Sequence, residues 1–360
     1  MMTQALATKM SSPPRRILII KLRHHGDMLL TTPVINSLRQ HFPDAEIDML
    51  MYHETRDMLA CLPALTNMFT IDRQWKKLGP RVHTGHEIRL VRRLMQRKYD
   101  LVVNLGDQWR SAIVTRLSGA PIRLGFDFPK RRGKIWPFCH TQLVSTEGHG
   151  KLHTVEQNLA ILAPLNLASI ENQATMSYSP EDEQVISNLL HEHGVKLPFI
   201  VVQPTSRWFF KCWTEEKMAE TFRALSAKGF PIVVTAGPDK RELEMVEKIL
   251  VLCPGLNITS LAGKLTLRQL AALIDQAALF IGVDSVPMHM AAALQTPLVA
   301  LFGPSKLTFW KPWQAKGEVI WAGDYGPLPD PDTINTHTSE RYLDAIPAQV
   351  VIDAAERLLP

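Results

Sequence analysis

Residues 16–22 read RILIIKL, a nearly continuous apolar run that opens on Arg16 and is interrupted by Lys21 before its last leucine. A strand with one wet face alternates apolar and polar residues. A run without alternation is expected where both faces of a sheet are covered by helices. Similar runs recur at 46–52, 68–72, 101–105 and 122–125. Helical patterns lie between them, at 32–41, 54–61, 85–98, 109–117 and 153–162. The same grammar returns later, with strands at 199–202, 231–235, 258–261, 278–283 and 297–302. Helices at 215–228, 241–252, 267–276, 288–294 and 348–359 separate or follow them. This alternation predicts an α/β chain of two doubly wound parallel sheets. At 360 residues, two domains are also what length suggests. The polar, aperiodic stretch 164–180 reads as the linker. The expected division is 1–175, 176–345 and a last helix within 346–360.

No stretch reaches 18 uninterrupted apolar residues, and residues 1–14 lack the apolar segment of a secretory leader. The expectation is a cytoplasmic protein. Cys61, Cys139, Cys212 and Cys253 form no C-x-x-C and read as free, buried thiols. Net charge is +5, distributed unevenly. Residues 73–134 hold sixteen Lys and Arg against four acids, a net +12 that leaves −7 for the rest. A field this lopsided suits an anionic partner. The aromatics in that run are few (Trp75, Tyr99, Trp109), which argues against a single-strand nucleic-acid platform.

Ligands of open α/β sheets bind at the carboxyl ends of the strands, so four loops hold the chemistry. The first is Arg23-His24-His25-Gly26-Asp27. Gly26 permits a turn that other residues resist, and Asp27 is either a helix cap or a catalytic base. Thr32-Pro33 offers a competing cap. The second runs from Gln203 through Thr205, Ser206 and Arg207 to WFFKCW. Lys211 as a point charge, with Thr205 and Ser206 as donors, suits a diphosphate; a surface lysine among packing aromatics is the plainer alternative. The third leads to Glu242, an acid that could hold a ribose diol or simply favour a helix start. The fourth, Asp284-Ser285-Val286-Pro287-Met288-His289, ends a strand at a helix N-terminus, which is either capped or open to an anion. There is no G-x-G-x-x-G after a strand, no Walker A lysine loop, no G-x-S-x-G and no H-E-x-x-H. No metal is expected.

Together these segments resemble one family. RHHGDMLLTTPVINSLRQHFP (23–43), FFKCW (209–213) and VDSVPMHMAAALQTPLVALFGPS (283–305) are similar, in order and spacing, to the signatures of the ADP-heptose:lipopolysaccharide heptosyltransferases, glycosyltransferase family nine. Members often carry Gly after the Asp-Ser/Thr, where this chain has Val286-Pro287. The resemblance implies a GT-B fold: two Rossmann-like domains across a cleft, acceptor on the first, donor on the second, last helix crossing back. It implies inverting, metal-independent transfer of L-glycero-D-manno-heptose from ADP-heptose to a heptose of the lipopolysaccharide inner core in a Gram-negative cell. Asp27 would be the base, with Gly26 supporting its loop. Thr205, Ser206, Lys211, Asp284, Ser285 and His289 would hold the diphosphate, and Glu242 the ribose. The implied partners are ADP-heptose, an anionic lipopolysaccharide acceptor and the cytoplasmic face of the inner membrane, with no nucleic acid and the enzyme a monomer. Another nucleotide-sugar enzyme on the same fold, such as an epimerase, or a polyanion-binding protein would be the alternatives.

Overall fold

The computed structural model describes residues 12–131 and 133–360. Residues 1–11 and Arg132, part of the basic segment, lie outside the described residues. The chain divides into two compact units between Ala174 and Thr175.

The first unit holds one parallel sheet built from β1 (Arg16–Ile20), β2 (Glu46–Tyr52), β3 (Asn67–Ile71), β4 (Leu101–Asn104), β5 (Ile122–Asp127) and β6 (Gln142–Ser145). Their order is β3-β2-β1-β4-β5-β6. β1 is central: Ile17 faces Ile47 on one side and Leu101 on the other. Ile17 to Ile20 are fully buried, as the unbroken apolar run requires. Each such side chain removed from water contributes roughly 1.5–3 kcal/mol.

The second unit repeats the plan with β7 (Ile200–Gln203), β8 (Ile232–Val234), β9 (Ile258–Ser260), β10 (Leu279–Val283), β11 (Leu298–Phe302) and β12 (Gly317–Trp321). Their order is β12-β11-β10-β7-β8-β9, all parallel. Read from the first strand outward, the two sheets have the same topology. In each, the strand order reverses beside the first strand, between β1 and β4 and between β7 and β10. That is where doubly wound sheets open a crevice for ligands.

Two sequence expectations change. Residues 54–61 do not form an α-helix; a 3-10 turn, His53–Met58, stands there. A helix at Pro180–Glu192 goes unanticipated, although Ser179 and Asp182 form a capping box with Pro180 in its first turn. The last helix is Ala348–Leu358, and its buried face (Val351, Ile352, Ala354, Ala355) lies in the core of the second unit, with Trp213, Phe222 and Leu301.

Candidate functional site

In the second unit the strand ends bring together residues far apart in sequence. Lys211 Nζ lies 2.6 Å from Asp284 Oδ2, with the two side chains 14% and 7% exposed. The Ser305 hydroxyl donates to the same carboxylate oxygen at 2.5 Å. Lys211 also stands 4.9 Å above the Trp208 ring. An ion pair this buried is held in one geometry, because either charge alone would face a large desolvation cost. The aromatics around Lys211 thus frame it rather than bury it inertly, and the surface-lysine reading falls away.

The helix Val286–Leu294 starts beside this pair. Ser285 is its N-cap residue, yet no side chain caps it. The Ser285 hydroxyl turns back to the Val283 carbonyl at 3.1 Å, and the Asp284 carboxylate is engaged with Lys211 and Ser305. Neither residue does the capping work that their types allowed. The positive end of the helix is left without a side-chain acceptor, which is the arrangement that receives an anion. Pro287 lies in the first turn and brings no N–H of its own. His289 is buried one turn in.

Glu242 is oriented by a chain of hydrogen bonds. The Thr235 hydroxyl donates to Gln203 Oε1 at 2.7 Å, and Gln203 Nε2 donates to the Thr205 hydroxyl oxygen at 2.9 Å. Thr205 in turn donates to Glu242 Oε2 at 2.6 Å, and the Gly237 amide donates to the same oxygen at 3.0 Å. Thr205 is fully buried, and its hydroxyl hydrogen is directed at Glu242 rather than outward. Ser206, through its hydroxyl, makes a long 3.4 Å contact with the Asp284 carbonyl. Its amide donates to Cys212 Sγ at 3.2 Å. Burial pushes the Cys212 thiol up to about 12, so it stays neutral and serves to pin this loop. Cys139 and Cys253 are likewise buried, whereas Cys61 is only half-buried, against expectation.

In the first unit, β1 runs into a short helix, His25–Leu29. Gly26 lies within that helix, so the turn expected there is helical backbone. Asp27 is half-buried, and its side chain caps nothing: His24 holds the cap position without a side-chain bond. Thr31, not Thr32, is the N-cap residue of the next helix, Thr32–His41. The Thr31 hydroxyl donates to the Asp27 carbonyl at 2.7 Å. The Asp27 carboxylate makes no hydrogen bond or ion pair among the described residues, which leaves it available to a substrate.

Sequence reading missed the groups around Asp27. Lys21, at the end of the apolar run, is buried and donates to Asn158 Oδ1 at 3.0 Å. Burial lowers its pKa, while the charges of Asp27 and Asp107 oppose that fall. Asp107, after β4, accepts from Arg23 Nη2 at 2.8 Å and from Lys130, and its carbonyl accepts from Arg131 at 2.7 Å. Burial would raise the Asp107 carboxyl, but Lys130 and Arg23 hold it below the ordinary range. Gln108 ties the loops together, donating to the Leu22 carbonyl at 3.0 Å and accepting from the Tyr52 hydroxyl at 3.1 Å. The carboxyl ends of β1, β4 and β5 thus gather Arg23, Lys130 and Arg131 on Asp107, while buried Lys21 feels the charges of both Asp107 and Asp27. A negatively charged, hydroxylated ligand fits that chemistry.

Among the described residues no three His, Cys, Asp or Glu side chains gather as a metal set. No helix among them is long and apolar enough to cross a membrane.

Comparison with known proteins bears on the family and the fold. Residues 87–338 match the profile described as glycosyltransferase family 9 (heptosyltransferase). Lipopolysaccharide heptosyltransferase 3 of Escherichia coli is 42% identical, over 94% of this chain and 98% of that one. A crystal structure of a family 9 glycosyltransferase from Veillonella parvula superposes with a TM-score of 0.81 at 24% identity, covering 96% and 97% of the two chains. E. coli heptosyltransferase WaaC, solved with ADP, gives 0.73 at 20% identity, covering 95% and 99%. At these identities the two structures establish the fold, tandem Rossmann-like units of the GT-B type.

Proposed function

The chain belongs to glycosyltransferase family 9, the heptosyltransferases, and from that premise we propose that it transfers L-glycero-D-manno-heptose from ADP-heptose to a heptose of the lipopolysaccharide inner core. One observation carries the reading: Lys211, fixed by Asp284, beside a helix start that no side chain caps. A diphosphate needs both a point charge and convergent N–H donors, and this loop supplies them.

The second unit holds the donor. Lys211 and the first turn of Val286–Leu294 take the diphosphate, with Ser206, Ser285 and His289 around it. Glu242, steadied by Thr205 and Gly237, takes the ribose hydroxyls. The first unit holds the acceptor. Asp27 accepts the proton of the attacking hydroxyl as the new bond to the anomeric carbon forms. The bond from that carbon to the phosphate oxygen breaks on the opposite face, so configuration inverts. ADP leaves with the electron pair, and its growing charge meets Lys211 and the helix dipole, which are already oriented. The cation and dipole do the work that a divalent ion does elsewhere, so the transfer is metal-independent. A sugar hydroxyl is a weak nucleophile, and a positioned base contributes roughly 10²–10⁴-fold.

Arg23, Lys130 and Arg131 suit an acceptor bearing carboxylates or phosphates. With such a lipid-linked acceptor the proposed site of action is the cytoplasmic face of the inner membrane, and the proposed working form is a monomer. The test is incubation of the protein with ADP-heptose and de-acylated cores of defined length, reading mass. One core should gain a single heptose. Donor consumed equally well without any acceptor would replace this reading with an epimerase or hydrolase.

A further inference from the structure

Seventeen large apolar side chains are exposed among the described residues, and nine of them fall between residues 78 and 138, a sixth of the chain. They are not scattered there. The helices Pro80–Gln96, Trp109–Leu117 and Ile135–Cys139 connect β3 to β4, β4 to β5 and β5 to β6. All three connections cross the sheet in one direction, so their right-handed crossovers lie on one face. Arg110 and Glu87, 2.8 Å apart, join the first two helices. The Trp109 and Trp136 rings, 5.7 Å apart, join the last two.

The outer surface of this layer has an unusual composition. Trp109, Ile113 and Leu117 are 41%, 50% and 43% exposed at a spacing of four, which puts them on one helix face. Ile135 and Phe138, next to them, are each 64% exposed. The polar residues among them are cations. The Arg116 guanidinium lies 4.9 Å over the Phe138 ring, the Arg131 guanidinium lies 4.9 Å over the Trp109 ring, and Lys134 is exposed beside Ile135. Across the three helices Glu87 is the single acid, and it is paired.

Water gives no reason to keep such a face, because contiguous exposed apolar area marks an interaction surface. A second copy of the chain is a poor occupant, since a two-fold contact would press this cation-rich face against an identical cation-rich face. An anionic bilayer matches both properties at once. Apolar tips enter the headgroup boundary, Trp sits at its level, and the cations meet lipid phosphate. We propose that this layer, centred on Trp109, Ile113, Leu117, Ile135 and Phe138, is where the protein docks on an anionic lipid surface. The proposal deepens the membrane contact named above and rests on that reading only for its biological purpose.

The experiment is co-sedimentation of the full chain with phosphatidylglycerol-rich vesicles and with pure phosphatidylcholine vesicles. The wild type should partition onto the anionic vesicles at least about tenfold better. The double variant Ile135→Ser/Phe138→Ser should lose about tenfold on anionic vesicles, and Lys134→Glu about fivefold or more. These side chains are exposed, so melting temperature and transfer to a de-acylated core in solution should stay at wild-type levels. Unchanged partitioning in both variants overturns the proposal. So does a wild-type dimer that the double variant splits without any change in vesicle binding. Failure of the wild type to transfer heptose in solution would count against the proposed activity while leaving the vesicle result standing.

Discussion

Lys211 Nζ and Asp284 Oδ2 are 2.6 Å apart although 73 residues separate them, and the Ser305 hydroxyl closes on the same oxygen. The lysine is therefore positioned before any ligand arrives. An incoming phosphate shares it with a carboxylate that is already there.

Replacing Lys211 with Met should weaken ADP binding by about 10–100-fold, the range for a lost charge-assisted hydrogen bond. It should also lower the melting temperature, because Asp284 is left buried and unpaired. Lys211→Met combined with Asp284→Asn should restore the melting temperature but not ADP binding. Calorimetry on both variants separates the two effects. Recovery of ADP affinity in the double variant would mean that Lys211 serves only the fold.

The Asp27 carboxylate makes no hydrogen bond or ion pair among the described residues and acts on buried Lys21 only through its charge, so its removal should change the fold little. Asp27→Asn should reduce kcat by roughly 10²–10⁴-fold. Its affinity for ADP should match the wild type. Transfer at an undiminished rate would remove Asp27 from the mechanism.

Gly237 and Glu242 make a prediction about the ribose. A Cβ on Gly237 would lie 3.0 Å from Glu242 Oε1 and push the carboxylate aside. Gly237→Ala and Glu242→Gln should both reduce the preference for ADP over 2′-deoxy-ADP, by about tenfold, since a hydroxyl that loses a charged acceptor forfeits about 1.5–3 kcal/mol. Equal weakening toward both nucleotides would place Glu242 away from the ribose.

The acid side of the stability profile should depend on His140. Its Nδ1 lies 2.8 Å from the Trp136 carbonyl and its Nε2 lies 3.0 Å from Asn104 Nδ2, so Nδ1–H donates and Nε2 accepts. Burial lowers its pKa, although the Trp136 carbonyl pulls the other way. Between that lowered value and 6.5, the unfolded chain binds a proton that the folded chain does not. Stability therefore falls as pH drops below about 6.5. His25 and His149 are lowered by burial too and act in the same direction. Urea midpoints from pH 8 to pH 5 should decline, and His140→Gln should flatten the decline. An equal slope in the variant would assign the loss to other groups. Gly125 belongs to this device, since a Cβ there would lie 2.4 Å from the His140 ring.

The sequence revealed the central strands because they are buried on both faces, and such strands must be apolar throughout. β6 and β12 escaped notice for the opposite reason. They are sheet edges, and Gln142–Ser145 holds no buried residue and Gly317–Trp321 only one, so neither carries an unbroken apolar run. The helix Pro180–Glu192 buries only Asp182, Ile186 and Leu190, too little to show a periodic stripe, though its Ser-Pro-x-Asp start was readable. Of the site, the loops were legible because strand ends carry chemistry in this architecture. What each residue does within a loop was not. Thr205 touches Glu242 across 37 residues and Lys21 touches Asn158 across 137, and no local pattern encodes such pairs. Lys21 was also disguised by its stem, which passes as apolar inside a strand.

Both sheets share one winding order, and each displays its working groups at the reversal beside its first strand. The scaffold is thus indifferent to which loops it bears. On the function proposed above, substitutions at Arg23, Asp107 or Lys130, which lie in the first unit, should retune the sugar that is modified and leave the nucleotide-binding loops of the second unit as they are. Evolution can diversify the product one loop at a time while the energy-rich donor stays the same.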